Sequence, residues 1–342
     1  MMRLLQAMAG ADHGGAEAFF ERLTMALQRA GIVEQRVLIR DNPRRAAHLR
    51  QAGVNVIELP FGGVLDLKTR FGFKRVVKDF APRIVLTWMN RATKFCPQGD
   101  FIHVGRLGGY YDLKYYRHCK QLIGNTKDIC DWVIGQGWDP ARVHYVPNFV
   151  AEARAEAVHR DTFATPPHAP LILALGRLHQ NKAFDVLIKA VAAIPDVYLW
   201  IAGEGPLRAE LEALATHLGV MPRVRFLGWR DDVASLFAAA DLFVCPSRHE
   251  PLGNVVIEAW AQGIPVVAAA SQGPSQLISD GIDGVLVPVD DAAAMGLAIR
   301  RVLFERGLAE NIGASGRKAF EQRFTEAAVV ERYREFFDKV AG

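Results

Sequence analysis

The stretch LFVCPSRHEPLGNVVIEAWAQGIPVVAAA, Leu242–Ala270, decides the fold. An apolar run ends at Pro246, a turn follows at Pro251-Leu252-Gly253, and a helix runs from about Asn254 to a closing Gly263. A second apolar run starts after Pro265. Short runs too apolar to alternate, joined by one helix, form a parallel strand–helix–strand unit with both faces of the sheet covered.

Working outward, the same alternation fills the second half of the chain. PLILALG (Pro170–Gly176) reads as a strand and AFDVLIKAVAAI (Ala183–Ile194) as a helix. VYLWIAG (Val197–Gly203) is a strand, and PLRAELEALATHLG is a helix with Pro at its start and Gly past its end. VRFLG, DVASLFAAA and GVLVP continue the pattern. The first half repeats it less clearly, with strands expected at Arg3–Met8, Gln35–Ile39, Val54–Leu59, Ile84–Trp88, Phe101–Val104 and Gln121–Asn125 and a first helix at Ala16–Ala30. The expected class is α/β, with two Rossmann-like, doubly wound parallel-sheet domains. The break falls in the loop-like segment Asn148–Pro170, which places the domains at residues 1–155 and 165–324. The last segment, 325–342, is an amphipathic helix with apolar positions at Ala327, Val330, Tyr333, Phe336 and Phe337.

A chain of 342 residues suits two cores better than one. No apolar run approaches the roughly 18 residues of a spanning helix, and the N-terminus has too short an apolar core for a signal peptide. The four cysteines (Cys96, Cys119, Cys130 and Cys245) form no CxxC pair, which fits a reducing compartment and argues against a zinc site. The net charge of +4 hides an asymmetry: residues 1–150 carry 22 Lys and Arg against 13 Asp and Glu, the remainder 19 against 24. A basic first half points to an anionic partner: a membrane surface, a phosphorylated glycan or nucleic acid. Nucleic acid is disfavoured, because no reading motif occurs and the second half is acidic.

Chemistry concentrates in four loops. The helix starting near Asn254 presents its positive end to a phosphate or diphosphate at the carboxyl edge of the sheet. Glu258, one turn in, can take the vicinal hydroxyls of a ribose, and Glu250 a hexose beyond the phosphates; the bland reading is two solvated charges flanking a buried helix. Arg177 and Lys182, five apart after the strand ending at Gly176, can face one diphosphate, or form ordinary surface salt bridges. Gly203 and Gly205 bound a tight loop or a plain turn. The backbone at Gly228–Arg230 can meet a base edge with Trp229 stacked on it, unless Trp229 only packs. No GxGxxG follows the first strand, which disfavours a dinucleotide dehydrogenase.

In this order the four segments resemble the C-terminal domain of the retaining GT-B glycosyltransferases, family 4. The likeness runs from Leu171 to about Arg323 and reads G-R-x-x-x-x-K, G-x-G-P, V-x-F-L-G and P-S-x-x-E-P-x-G-x-x-x-x-E-A. The resemblance implies that Arg177 and Lys182 neutralise the diphosphate of a UDP- or GDP-sugar donor, and that Glu250 holds the donor sugar. It also implies backbone contacts from Leu252, Gly253 and Asn254, and ribose contacts from Glu258. The family often has Gly after the lysine, where this chain has Ala183.

GADHGGAEAFFERL resembles the family's first glycine-rich loop, with Gly14 and Gly15 facing the donor across a cleft between the domains and Glu17 starting the helix. In DFIHVGRLGGYYDLKYYRHC, His103 and Arg106 compete for the polar post near the donor anomeric carbon, with His103 alternatively an inward strand residue. Gly108 to Tyr111 and Lys114 suit acceptor contacts. The implied enzyme moves a hexose, with retention, to a hydroxyl of a surface glycan or lipid-linked acceptor of lipopolysaccharide core or capsule type. A sugar-nucleotide epimerase and a non-catalytic nucleotide-sugar-binding protein are the rivals. No D-x-D triplet occurs, so no metal and no cofactor beyond the donor is expected. The basic amphipathic stretch 66–83, with Lys68, Arg70, Lys74, Arg75 and Lys78 among Phe71, Phe73 and Phe80, suits an anionic bilayer, or is a solvated helix face. The expected location is cytoplasmic, peripheral on the inner face of the cell membrane. The family habit also implies that the terminal helix crosses back to the first domain.

Overall fold

The computed structural model describes residues 1–342 except His13 and Val64. The chain forms two compact units, Met1–Phe149 with Glu326–Gly342, and Val150–Thr325.

Unit 1 runs β1 (Met2–Met8), α1 (Gly15–Ala30), β2 (Val33–Arg40), α2 (Pro43–Gln51), β3 (Asn55–Leu59), α3 (Leu67–Phe80), β4 (Ile84–Trp88), α4 (Met89–Phe95), β5 (Ile102–Leu107), β6 (Gln121–Gly124), α5 (Lys127–Gly135) and β7 (Val143–Tyr145). All strands pair in parallel, in the order β3-β2-β1-β4-β5-β6-β7. Side chains alternate between two cores: Leu4 and Met8 enter one, Leu5 and Ala7 the other. Gln6 lies on the Leu4 face at zero exposure. It is satisfied there: Gln6 Nε2 donates to Gln35 Oε1 (3.0 Å), and Trp88 Nε1 donates to Gln6 Oε1 (3.1 Å). Local signals set the helix starts, with Asn42 capping α2 ahead of Pro43, Asp66 capping α3 and Thr126 capping α5.

Unit 2 runs β8 (Leu171–Leu175), α6 (Phe184–Ala192), β9 (Tyr198–Ala202), α7 (Arg208–His217), β10 (Val224–Gly228), α8 (Val233–Ala239), β11 (Leu242–Cys245), α9 (Asn254–Gln262), β12 (Val266–Ala269), α10 (Gln272–Leu277), β13 (Val285–Val287), α11 (Ala292–Phe304) and α12 (Leu308–Arg323). Its order is β10-β9-β8-β11-β12-β13, again parallel. Ile172 and Ala174 face one core, Leu171 and Leu173 the other, so both faces are covered. The fold is that of two Rossmann-like domains.

The last helix, α13 (Glu326–Ala341), belongs to unit 1. Val329, Val330, Tyr333, Phe336 and Phe337 enter the core that holds Phe19, Phe20 and Leu23 of α1. Bidentate contact of Arg29 Nη2 with the Glu326 carboxylate (2.6–2.7 Å) fixes its start.

Most strand ends fall within a residue or two of the sequence expectation, and the largest shift at a candidate site residue is in β5. β5 extends to Leu107 rather than stopping at Val104, so Arg106 lies within the strand with His103 and not beyond it. The strand continues through Arg106 because that side chain is fully accommodated. Its Nε donates to the Tyr333 hydroxyl (2.8 Å) and Nη2 to Asn148 Oδ1 (2.7 Å), while the guanidinium carbon lies 4.7 Å from the Phe19 ring centre and 4.5 Å from that of Trp88. Arg106 thus ties β5 to α13 and to the end of unit 1. All four cysteines are free thiols, and among the described residues no helix is long and apolar enough to cross a membrane.

Candidate functional site

In unit 2 the chain builds β8, β9 and β10 outward in one direction, then returns to start β11 beside β8 and proceeds the other way. The crevice where the order reverses, at the carboxyl ends of β8 and β11, is where open α/β sheets bind ligands. The loop after β8 carries Gly176, Arg177 and Lys182; the loop after β11 carries Ser247, Arg248, Glu250 and Gly253. Across the crevice Lys182 Nζ pairs with Glu250 Oε2, the two side chains being 23% and 10% exposed. Gly253 N donates to Glu250 Oε1 (3.4 Å), and Gly273 N donates to the Glu250 carbonyl (2.7 Å). Glu250 is therefore fixed by its backbone, by its carboxylate and by a cation.

The neighbouring loops are stitched to this one. Leu178 N donates to the Glu204 carbonyl (2.9 Å), and Gly203 N to the Gly228 carbonyl (2.7 Å). The approach is so close that a Cβ at Gly203 would strike the Gly176 carbonyl, and one at Gly205 would strike Leu178. This accounts for the G-x-G spacing by packing of backbone on backbone. The loop after β8 ends in a 3-10 turn at Gln180–Lys182, and Ala183 caps α6 at φ +50°. That left-handed backbone is one glycine adopts freely, which is the physical reason a glycine suits this position.

Arg248 organises the crevice further. Its Nη1 donates to the Gln180 carbonyl (2.8 Å) and to Asp185 Oδ1 (3.0 Å), Nη2 to Asp185 Oδ2 (2.9 Å) and Nε to Asp290 Oδ1 (2.5 Å). One guanidinium thereby joins the loops after β8, β11 and β13. Burial works to raise the Asp185 carboxyl, but the Arg248 hydrogen bonds and charge outweigh it and hold the group below its ordinary 3.8. The opposite shift appears at Cys245, whose thiol is pushed up to about 11 by burial and then by Glu250.

Residues 169–305 match the family described as "Glycosyl transferases group 1". The lipopolysaccharide core biosynthesis glycosyltransferase LpsE of Rhizobium meliloti (strain 1021) is 37% identical over 334 residues, covering 94% of both chains. The chain belongs to the group 1 glycosyl transferases. A second relative, the glycosyltransferase LpsD of the same strain, is 35% identical over 342 residues, covering 99% of this chain and 98% of its own. In fold, the transferase is similar to Anabaena Alr3699/HepE, solved in complex with UDP and glucose, with a TM-score of 0.81 at 20% identity, 99% of this chain and all of that one being covered. The fold is thereby GT-B.

The remaining site residues of this transferase fall into two groups. In unit 2, α9 starts at Asn254 behind Gly253, which has φ +68°, and no acidic side chain stands in its first turn. Glu258 lies half-buried in that helix, Leu252 is half-buried ahead of it, and Arg177 is exposed. Gly228 closes β10 at φ +69°, and Trp229 next to it is 73% exposed, so it is not a core residue. Glycines 176, 203, 205, 228 and 253 with Lys182 and Glu250 thus share one edge of one sheet.

In unit 1, Gly14 and Gly15 open α1 at that sheet's own switch point, beside β1 and β4. His13, within the quoted loop, lies outside the described residues. Glu17 is buried rather than solvated at the helix start, and its Oε1 accepts from Ala11 N (2.8 Å); Cβ atoms at Gly10 or Gly14 would collide with its carboxylate. His103 is 6% exposed, with Nε2 2.9 Å from Thr87 Oγ1 and Cys119 Sγ at 3.7 Å. Burial, and then the charge of His118, push its imidazole down to about 4. His103 lies beside Val85, near the start of β4, whereas Arg106 lies beside Trp88 at the carboxyl end of β4, with its side chain buried against Phe19 and Trp88. Arg248, Asp185 and Gly273 received no role from the sequence. Arg248 stands inside the most informative motif, but its partners lie 63 and 42 residues away, at Asp185 and Asp290.

Proposed function

We propose that this transferase moves a hexose from UDP or GDP to a hydroxyl of a surface glycan or lipid-linked acceptor of the lipopolysaccharide core or capsule type, with retention of configuration and without a metal. One observation carries the reading: Lys182 and Glu250, 68 residues apart, meet over the switch point of the second sheet. The role of LpsE and LpsD in lipopolysaccharide core biosynthesis supports the acceptor class, and the UDP complex of Alr3699/HepE supports a nucleotide donor.

In this reading unit 2 holds the donor and unit 1 the acceptor. The base lies against the backbone of Gly228–Arg230 with Trp229 over it, Glu258 takes the ribose hydroxyls, and the amides opening α9 receive phosphate oxygens. Glu250 holds the sugar. Lys182 and Arg177 carry the charge that grows on the departing diphosphate, and this electrostatic stabilisation is the main catalytic term. The bond from the anomeric carbon to the phosphate oxygen breaks as a bond to the acceptor oxygen forms on the same face. The acceptor proton passes to the leaving phosphate oxygen.

The face of α3 supports a membrane-facing role for unit 1. Leu67 and Phe71 are 59% and 68% exposed, one turn apart and flanked by exposed Lys68, Arg70, Lys74 and Arg75, while Phe73, Val76 and Phe80 are buried. Charge reversal of Lys74, Arg75 and Lys78 lowers binding to anionic vesicles in this account; unchanged binding would make α3 an ordinary solvated helix.

The reading is tested by incubating the full chain with UDP- and GDP-hexoses, with EDTA present, with and without a lipopolysaccharide-core acceptor. Transfer that requires the acceptor, with the donor's anomeric configuration kept in the product, is expected. Interconversion of the sugar with donor alone would indicate an epimerase, and binding without turnover a non-catalytic protein.

A further inference from the structure

Unit 1 carries a cavity of about 580 Å³, away from its glycine loop. Its walls are the end of α4, the segment 96–101 leading into β5, and the segment 114–120 leading into β6. The rim carries four cations, Lys94, Lys114, Arg117 and Lys120, with His118 among them, all exposed. Thr93, Phe101 and His103 form a buried floor. Among the described residues no carboxylate lines it.

Three of the four lysine and arginine charges on the rim are unmatched. Lys114 pairs with Asp112 (2.5 Å), but among the described residues no carboxylate lies within ion-pair distance of Lys94, Arg117 or Lys120. Several helical arginines elsewhere on this chain are paired with acids at i+4, as in Arg208–Glu212, Arg301–Glu305 and Arg317–Glu321. Converging cations around a concavity repel one another until an anion arrives, and they raise its local concentration. The volume falls in the range of small-ligand sites. The rings of Phe101 and Tyr115 add apolar wall suited to the face of a sugar. A second, smaller cavity of about 270 Å³ adjoins it at Lys94 and Tyr115 and adds Arg70 and Arg91.

We propose that this cavity binds a sugar bearing a phosphomonoester, with Lys94, Arg117 and Lys120 taking the phosphate and the aromatic wall taking the ring. The proposal rests on the reading of unit 1 as the acceptor unit, and it assigns the acceptor class: a phosphorylated glycan rather than a neutral one.

The experiment titrates the full chain calorimetrically with glucose 6-phosphate, glucose, inorganic phosphate and vesicles containing phosphatidic acid, with UDP and GDP binding measured in parallel. Saturable binding of glucose 6-phosphate and none of glucose is expected. The Arg117→Ala/Lys120→Ala double variant should weaken it about tenfold or more, since each charge-assisted contact is worth over a kcal/mol, while keeping UDP affinity. Arg177→Ala/Lys182→Ala should leave glucose 6-phosphate affinity unchanged. Equal binding by wild type and Arg117→Ala/Lys120→Ala, or binding to vesicles alone, would overturn the proposal. If UDP or GDP binds and glucose 6-phosphate does not, this inference fails and the donor reading stands; binding of glucose 6-phosphate with neither nucleotide bound fails the donor reading alone.

Discussion

At the carboxyl ends of β8 and β11, Lys182 meets Glu250, and Arg248 meets both Asp185 and Asp290. In the unit 1 cavity, Lys94, Arg117 and Lys120 meet no carboxylate among the described residues. Both regions are rich in cations, yet one is cross-tied and the other is not. Ties of the first kind hold backbone loops from three strands in register before any ligand binds. Such preorganisation is what stabilising a developing charge requires, because the groups need not move when the bond breaks. The second kind leaves its charge available to whatever anion enters. The contrast fits a reaction centre on unit 2 and a recognition surface on unit 1.

The contrast is broken or sharpened by substitution. The largest expected effect is at Glu250. Glu250→Ala should lower transfer by about two orders of magnitude or more, the scale of losing one fixed electrostatic contact to the reacting group, with nucleotide affinity changing much less. A loss of affinity equal to the loss of transfer would move Glu250 from the sugar to the nucleotide.

Next is a pH effect at the cavity floor. The folded pKa of His103 is depressed to about 4 from its ordinary 6.5, so the unfolded chain takes up the proton first as pH falls. The stability His103 contributes is present above pH 6.5 and is lost between pH 6.5 and about 4, by about 3 kcal/mol in all. Urea unfolding across that window should show the loss in wild type and a flatter profile in His103→Gln; parallel profiles would remove the assignment.

Arg248→Ala should cost about 1–3 kcal/mol of stability, since it strands the half-buried Asp185 and the Gln180 carbonyl. The Asp185 carboxyl, held below 3.8 in the folded chain, contributes stability present above its unfolded pKa and lost as pH falls through the lower folded value. The gap between wild type and Arg248→Ala, read by thermal melting, should therefore narrow below about pH 4. The same measurement on Arg117→Ala/Lys120→Ala should show no loss, because those side chains have no acidic partner to strand.

Much of this is legible in the sequence, and the exceptions share a cause. The strand–helix alternation of unit 2 is read directly because its strands are short apolar runs buried on both faces. The glutamate and glycine loop at 250–254 is equally legible, since one turn and one helix start bring its members together. The strand β5 is misjudged at its end because Arg106 reads as a boundary; its charge is met by Tyr333, from the far end of the chain, and by two aromatic rings. Arg248 is in plain view, but its partners are set by strand order, which no local pattern encodes. The basic cavity is built from two segments, 93–103 and 114–120, whose lysines and arginines look like ordinary surface charge one at a time.

The account depends on Arg177 and Lys182 receiving a diphosphate at the switch point of the second sheet. Calorimetric titration of the wild type and the Arg177→Ala/Lys182→Ala variant with UDP and GDP tests this most directly. The account predicts that the wild type binds one of the two nucleotides and that the double variant, still folded by circular dichroism, binds it at least about a hundredfold more weakly, as expected for two lost charge contacts. Equal affinity in the two proteins would contradict it.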